Sequence, residues 1–101
     1  MRIKYKDAYM ERLCTDHKFA VKELNLTRAK GLGYCFQALK TYDSVDTLIR
    51  LKVRNTHQLT EYKGGEHYAM NISANYRLIF SRDKDEDTLH VVRIEEIVDY
   101  H

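Results

Sequence analysis

The periodicity of this 101-residue chain changes halfway along, and that change restricts the fold more than any single motif. Up to about residue 51, apolar side chains recur at intervals of three and four, as one buried face of a helix requires. From His67 to Ser73 the pattern alternates, with Tyr68, Met70 and Ile72 set against His67, Ala69, Asn71 and Ser73. That is the period of a half-buried strand. Further strands follow at Tyr76 to Phe80 and Leu89 to Val98, at separations short enough to require antiparallel pairing. Helices followed by strands predict an α+β domain, with N-terminal helices packed on one face of a small, twisted, mainly antiparallel β-sheet. The length supports one core, and no repeat or linker divides it, so residues 1–101 read as a single domain.

Local signals refine this outline. A short strand around Arg2 to Lys6 precedes a first helical turn or two over Asp7 to Leu13. Thr15 and Asp16 offer N-cap oxygens for a helix over Lys18 to Leu24, and Thr27 offers one for the next helix. In that next helix Leu32, Cys35, Phe36 and Leu39 share a face. Gly31 and Gly33 weaken it by about 1 kcal/mol each relative to Ala, which packing must offset. Ser44 caps a short helix burying Val45, Leu48 and Ile49. His57 to Thr60 reads as a short strand, Lys63-Gly64-Gly65 as a turn and Asp83 to Asp87 as an acidic loop.

Composition excludes several function classes. With 44% apolar and 32% charged residues the chain has the means to bury a core, which argues against disorder. No apolar run is long enough for a membrane span, and Met1 to Lys6 lacks a signal-peptide core, so a cytoplasmic protein without membrane association is expected. Cys14 and Cys35 have no ligand-like spacing and read as ordinary thiols. The five histidines show no paired spacing of the kind zinc sites use, so neither metal nor cofactor is expected. A net charge of only +2 argues against a uniformly basic nucleic-acid binder, but the cations cluster. Arg50, Lys52 and Arg54 would line one face of an extended segment, either meeting rRNA phosphates or simply facing water. Most of the eight tyrosines read as amphipathic borders of the core.

The chain ends Glu96-Ile97-Val98-Asp99-Tyr100-His101, an apolar strand leading into three groups that donate, accept or move protons. On residue type alone, this is equally a strand end whose polar groups sit in water.

Taken together, His57-x-Leu59, Lys63-Gly64, the strand Asn75-Tyr76-Arg77-Leu78-Ile79-Phe80 and the terminal Asp99-Tyr100-His101 resemble the HigB-like toxins of the RelE/ParE toxin–antitoxin superfamily. The resemblance is sharpest over residues 57–101 and looser over the helices. It implies a RelE-like fold and a ribosome-dependent endoribonuclease, an mRNA interferase that cuts translated message without a metal. It also implies a small cognate antitoxin, a helix-turn-helix protein in similar systems, that silences the toxin in a heterotetramer. The chemistry is attack of a ribose 2′-hydroxyl on the adjacent phosphate, which needs a base, an acid and cations for the developing charge.

Position by position, the resemblance makes His101 the catalytic terminal histidine, a residue type suited to proton transfer near neutrality. It makes Tyr100 an aromatic contact to a base or phosphate and Asp99 an acidic, orienting group. His57 becomes a second site histidine, and Arg77 the fork of donors that meets the scissile phosphate. Two positions depart from the pattern: Thr60 stands where the family often has a lysine, and Asn71 where a basic residue often occurs. Lys63 would replace the missing lysine if its loop bends back, and Asn71 would be a substrate contact. These departures keep two other readings open. One is a superfamily toxin that inhibits DNA gyrase without nuclease activity; the other is an attenuated, antitoxin-binding regulatory module.

Overall fold

A computed structural model describes residues 1–61, 66–82 and 90–100. The chain runs β1 (Arg2–Tyr5), α1 (Ala8–Thr15), α2 (His17–Leu24), α3 (Leu26–Thr41), α4 (Val45–Arg50), a 3-10 turn (Val53–Asn55), β2 (His57–Leu59), β3 (Glu66–Asn71), β4 (Tyr76–Arg82) and β5 (Val91–Asp99). The architecture is α+β, with the N-terminal helices packed against a five-stranded, mainly antiparallel sheet of order β1-β5-β4-β3-β2. Lys63-Gly64-Gly65, the acidic loop and the terminal histidine lie outside the described residues.

Side-chain caps set each helix start. Asp7, Asp16, Asn25 and Ser44 accept from the backbone N–H groups of Met10, Phe19, Arg28 and Thr47, satisfying donors that have no partner inside the helix. The cap of α3 is Asn25, not Thr27: Asn25, at φ 90°, ends α2 and starts α3 at a single residue. The Met1 ammonium donates to the carbonyls of Leu39, Lys40 and Tyr42, each at 3.0 Å. It thereby places positive charge at the negative end of the α3 dipole.

One face of the sheet meets the helices. Tyr68, Met70, Ile72, Leu78, Phe80, Val92 and Ile94 interleave with Met10, Leu13, Leu32, Cys35, Leu39, Val45 and Leu48 in the main core. Phe36 and Ile49, expected on that face, are only half-buried. At Gly31 the backbone of α3 comes so close to β3 that a Cβ would be driven into the Ile72 carbonyl oxygen. The opposite face carries a second, smaller cluster of Leu59, Ala69 and Ile79, with Val98 packed against it. Ala69 is therefore fully buried, and β3 is not the half-buried strand its alternation suggests.

β2–β3, β3–β4 and β4–β5 pair antiparallel, whereas β1 pairs parallel with β5. A bulge interrupts the β4–β5 ladder: Ile79 faces Glu96 and Phe80 faces Ile94, so Glu95 is the inserted residue. Before the bulge Ile94 points to the helices; after it Ile97 does, opposite Leu78. Val98 then falls on the helix-free face opposite Arg77.

Candidate catalytic site on the helix-free sheet face

Cross-strand partners project to the same face of a sheet, so the register places each expected site residue. His57 on β2 pairs with Ala69, and Asn71, two residues further along β3, pairs with Arg77 on β4. Arg77 pairs with Val98 on β5, and Tyr100 stands two residues beyond Val98. These four residues therefore line one end of the helix-free face as a stripe across four strands. Neighbours in the stripe are opposite or diagonal, within roughly 4.5–8 Å between backbones. Asp99 does not join them. Its partner is Tyr76, so it shares the helix-side face and lies exposed at its margin. Lys63 and His101 lie outside the described residues.

Arg77 is the anchor. Its Nη1 donates to the carbonyls of Ser73, Ala74 and Tyr76 at 2.9–3.1 Å, tying the guanidinium to the turn that links β3 to β4. Its Nε and Nη2 make no hydrogen bond among the described residues. One side of the fork is thus fixed by the chain, and the other is left for an anion. The Tyr100 ring centroid lies 5.7 Å from the guanidinium carbon, a cation–π approach that gives the exposed aromatic a defined place. The Tyr100 N–H donates to the Asn75 carbonyl at 2.7 Å, extending β5 beside the same turn.

His57 is exposed, and its Nδ1 lies 2.9 Å from the Asn55 carbonyl. A carbonyl can only accept, so Nδ1 carries the proton and the neutral ring keeps a lone pair on Nε2. That is the form a general base requires. Asn71 is half-buried, and its Oδ1 is buried without a hydrogen-bond partner among the described residues. Its backbone oxygen accepts from Arg54 Nε at 2.7 Å and Cys35 Sγ at 3.2 Å. Burial pushes the Cys35 thiol up to about 11, which keeps it a donor.

Arg54 departs from expectation. Arg50 ends α4, while Lys52 (φ 54°), Arg54 (φ 47°) and Asn55 (φ 57°) adopt left-handed conformations, so the three cations do not line an extended face. Each left-handed residue other than glycine costs on the order of 1 kcal/mol or more. The Arg54 guanidinium turns inward, donating through Nε to Asn71 and through Nη2 to the Ile72 carbonyl at 3.0 Å, with the exposed Tyr34 ring 5.5 Å away. Hydrogen bonds from a charged donor contribute about 1.5–3 kcal/mol each, enough to offset the strain. The only sequence signal for this turn was Asn55, a residue type that tolerates left-handed backbone.

Away from the stripe, the helix-free face carries charges of both signs. Glu95 and Glu96 both project there because of the bulge, and Glu95 accepts from Ser81 Oγ at 2.8 Å and pairs with Arg93 at 3.5 Å. Lys4 on β1 is placed opposite Arg93. Among the described residues no three His, Cys, Asp or Glu side chains gather as a metal-holding group, and no helix is long and apolar enough to cross a membrane. No protein-family model, no curated protein and no solved structure matches the chain.

Proposed function

We propose that this chain is the toxin of a type II toxin–antitoxin pair, a HigB-like member of the RelE/ParE superfamily acting as a ribosome-dependent mRNA endoribonuclease. The observation that carries the reading is the stripe of His57, Asn71, Arg77 and Tyr100 across one end of the helix-free face. In this reading His57 Nε2 takes the proton of the ribose 2′-hydroxyl, and the open side of Arg77 meets the phosphate as charge develops on it. Tyr100 stacks on a neighbouring base, and His101 returns a proton to the leaving 5′-oxygen. The sheet supplies only part of the geometry; a bound message held by the ribosome supplies the rest through orientation. The partners in this proposal are the ribosome, mRNA and a cognate antitoxin, and the setting is the cytoplasm.

The test is controlled induction with mapping of transcript 5′ ends, with and without a translation inhibitor. Wild type should arrest growth and cut translated messages, and the cuts should vanish when translation is blocked. Arg77→Met should lower cleavage by on the order of 100-fold, the usual effect of removing one preorganised donor, and His57→Gln and His101→Ala should also impair it. Intact message ends with altered DNA supercoiling would replace this reading with gyrase inhibition. Intact ends, normal supercoiling and retained antitoxin binding would leave only a regulatory binding module.

A further inference from the structure

We infer that Arg54 is a positioning residue that sets the protonation pattern of His57, an inference that rests on the proposed role of His57 as base. Three observations converge on this side chain. Its fork holds the Asn71 and Ile72 carbonyls, where β3 ends. Arg54 itself sits in a short 3-10 turn in which Lys52, Arg54 and Asn55 are left-handed, closed only by local backbone bonds such as Asn55 N–H to the Lys52 carbonyl at 3.1 Å and Thr56 N–H to the Val53 carbonyl at 3.0 Å. The next residue, Asn55, aims its carbonyl at His57 Nδ1 from that same left-handed conformation.

The chain of cause is short. Those two β3 carbonyls are fixed from the helix side as well, because Cys35 donates to one and the Gly31 backbone abuts the other. Arg54 therefore ties the strained turn to carbonyls that α3 also holds. With the turn tied, the Asn55 carbonyl stands where it can only accept from His57 Nδ1, and Nε2 is left as the acceptor toward substrate. With the tie cut, only the local 3-10 bonds oppose relaxation of the left-handed residues, the Asn55 carbonyl shifts from the ring, and His57 takes either tautomer. A lysine cannot substitute, since one ammonium lacks the planar fork that reaches two carbonyls at once.

The experiment is nitrogen NMR of ¹⁵N-labelled imidazoles in the full chain, comparing wild type, Arg54→Lys and Arg54→Met above the histidine titration range. Wild type should show His57 with Nδ1 protonated and Nε2 bare. Both variants should show a mixture, with backbone spectra otherwise intact and cleavage of translated message reduced at least tenfold. A wild-type ring protonated at Nε2 would overturn the inference without any variant, so it stays testable even if Arg54→Met fails to fold. An unchanged tautomer in a folded Arg54→Lys chain would overturn it as well. If the tautomer shifts as expected but wild type cuts no message, the positioning role stands and the nuclease reading fails.

Discussion

Gly31 and Gly33 lie two residues apart in one helix, yet replacing each with alanine should move stability in opposite directions. Helix propensity alone assigns both substitutions a gain of about 1 kcal/mol. A Cβ at Gly33 meets nothing within 4 Å, so Gly33→Ala should realise most of that gain, roughly 0.5–1 kcal/mol. A Cβ at Gly31 would be driven into the Ile72 carbonyl oxygen, while also lying 2.9 Å from the carbonyl carbon and 3.0 Å from Ile72 Cγ2. Two of those three atoms are backbone, and Arg54 holds the same carbonyl from the other side. Neither α3 nor the end of β3 can yield cheaply. Overpacking of this kind costs about 1–3 kcal/mol and occasionally more. With the upper end taken for a backbone collision and the propensity gain subtracted, Gly31→Ala should lose about 2 kcal/mol. For a domain of this size that corresponds to a fall in Tm of roughly 8–16 °C, against a rise of roughly 2–8 °C for Gly33→Ala. Thermal melts and urea titrations followed by circular dichroism would measure both. A Gly31→Ala chain as stable as wild type would refute the close approach of α3 to β3 and the account of Arg54 built on it.

Two further outcomes follow from buried polar groups. Burial holds the Cys14 thiol up to about 12 and the Cys35 thiol up to about 11, so both stay protonated in the fold after they would ionise in the unfolded chain. Their contribution to stability is whole below the ordinary thiol value near 9 and is lost as pH rises above it, at up to about 1.4 kcal/mol per pH unit for each. Unfolding free energies from urea titrations should therefore hold steady from pH 7 to 8.5 and then fall, by about 2–4 kcal/mol in all by pH 10.5; Cys14→Ala should remove about half of that fall, and a flat profile would count against both burials. On the helix side of the sheet, Arg82 holds Glu66 at 2.6 Å, and the Tyr68 hydroxyl donates to the same carboxylate at 2.6 Å. Arg82→Met should cost about 2–4 kcal/mol because it takes the cation from a largely buried carboxylate, and adding Glu66→Met should recover most of it. A single-variant loss below about 0.5 kcal/mol in urea titration would show the pair to be only a surface contact.

The fold was largely legible because its determinants are local. The alternation around Tyr68 and Met70, the three-and-four spacing of Leu32, Cys35 and Leu39, and the cap oxygens of Asp16 and Ser44 each act within a few residues. What remained hidden depends on contacts between distant segments. Nothing near Ile3 signals that it will lie beside Val92, because a parallel partner at the far end of the chain leaves no mark on local pattern. Gly31 reads as a weak point in a helix until Ile72 arrives beside it. Arg54 reads as one of three surface cations until the left-handed turn carries it inward. For the candidate site, the resemblance to the HigB-like toxins pointed to His57, Asn71, Arg77 and Tyr100, whose strands come together at one end. It also pointed to Asp99, and alternation counted back through the strand could not show that it lies on the other face.

The inserted Glu95 acts as a phase shifter. In an uninterrupted β5, Tyr100 would keep step with Val92 and Ile94 and its ring would turn toward the helices, leaving Asp99 on Arg77's side. One extra residue, placed after the core has been satisfied by Ile94, reverses that assignment for everything downstream while leaving everything upstream untouched. The aromatic at the end of the chain reaches the arginine because of a count, not because of its own chemistry. Site composition in a chain of this design can therefore change by length alone, with a gain or loss of one residue at the bulge exchanging an aromatic for a carboxylate beside the same guanidinium.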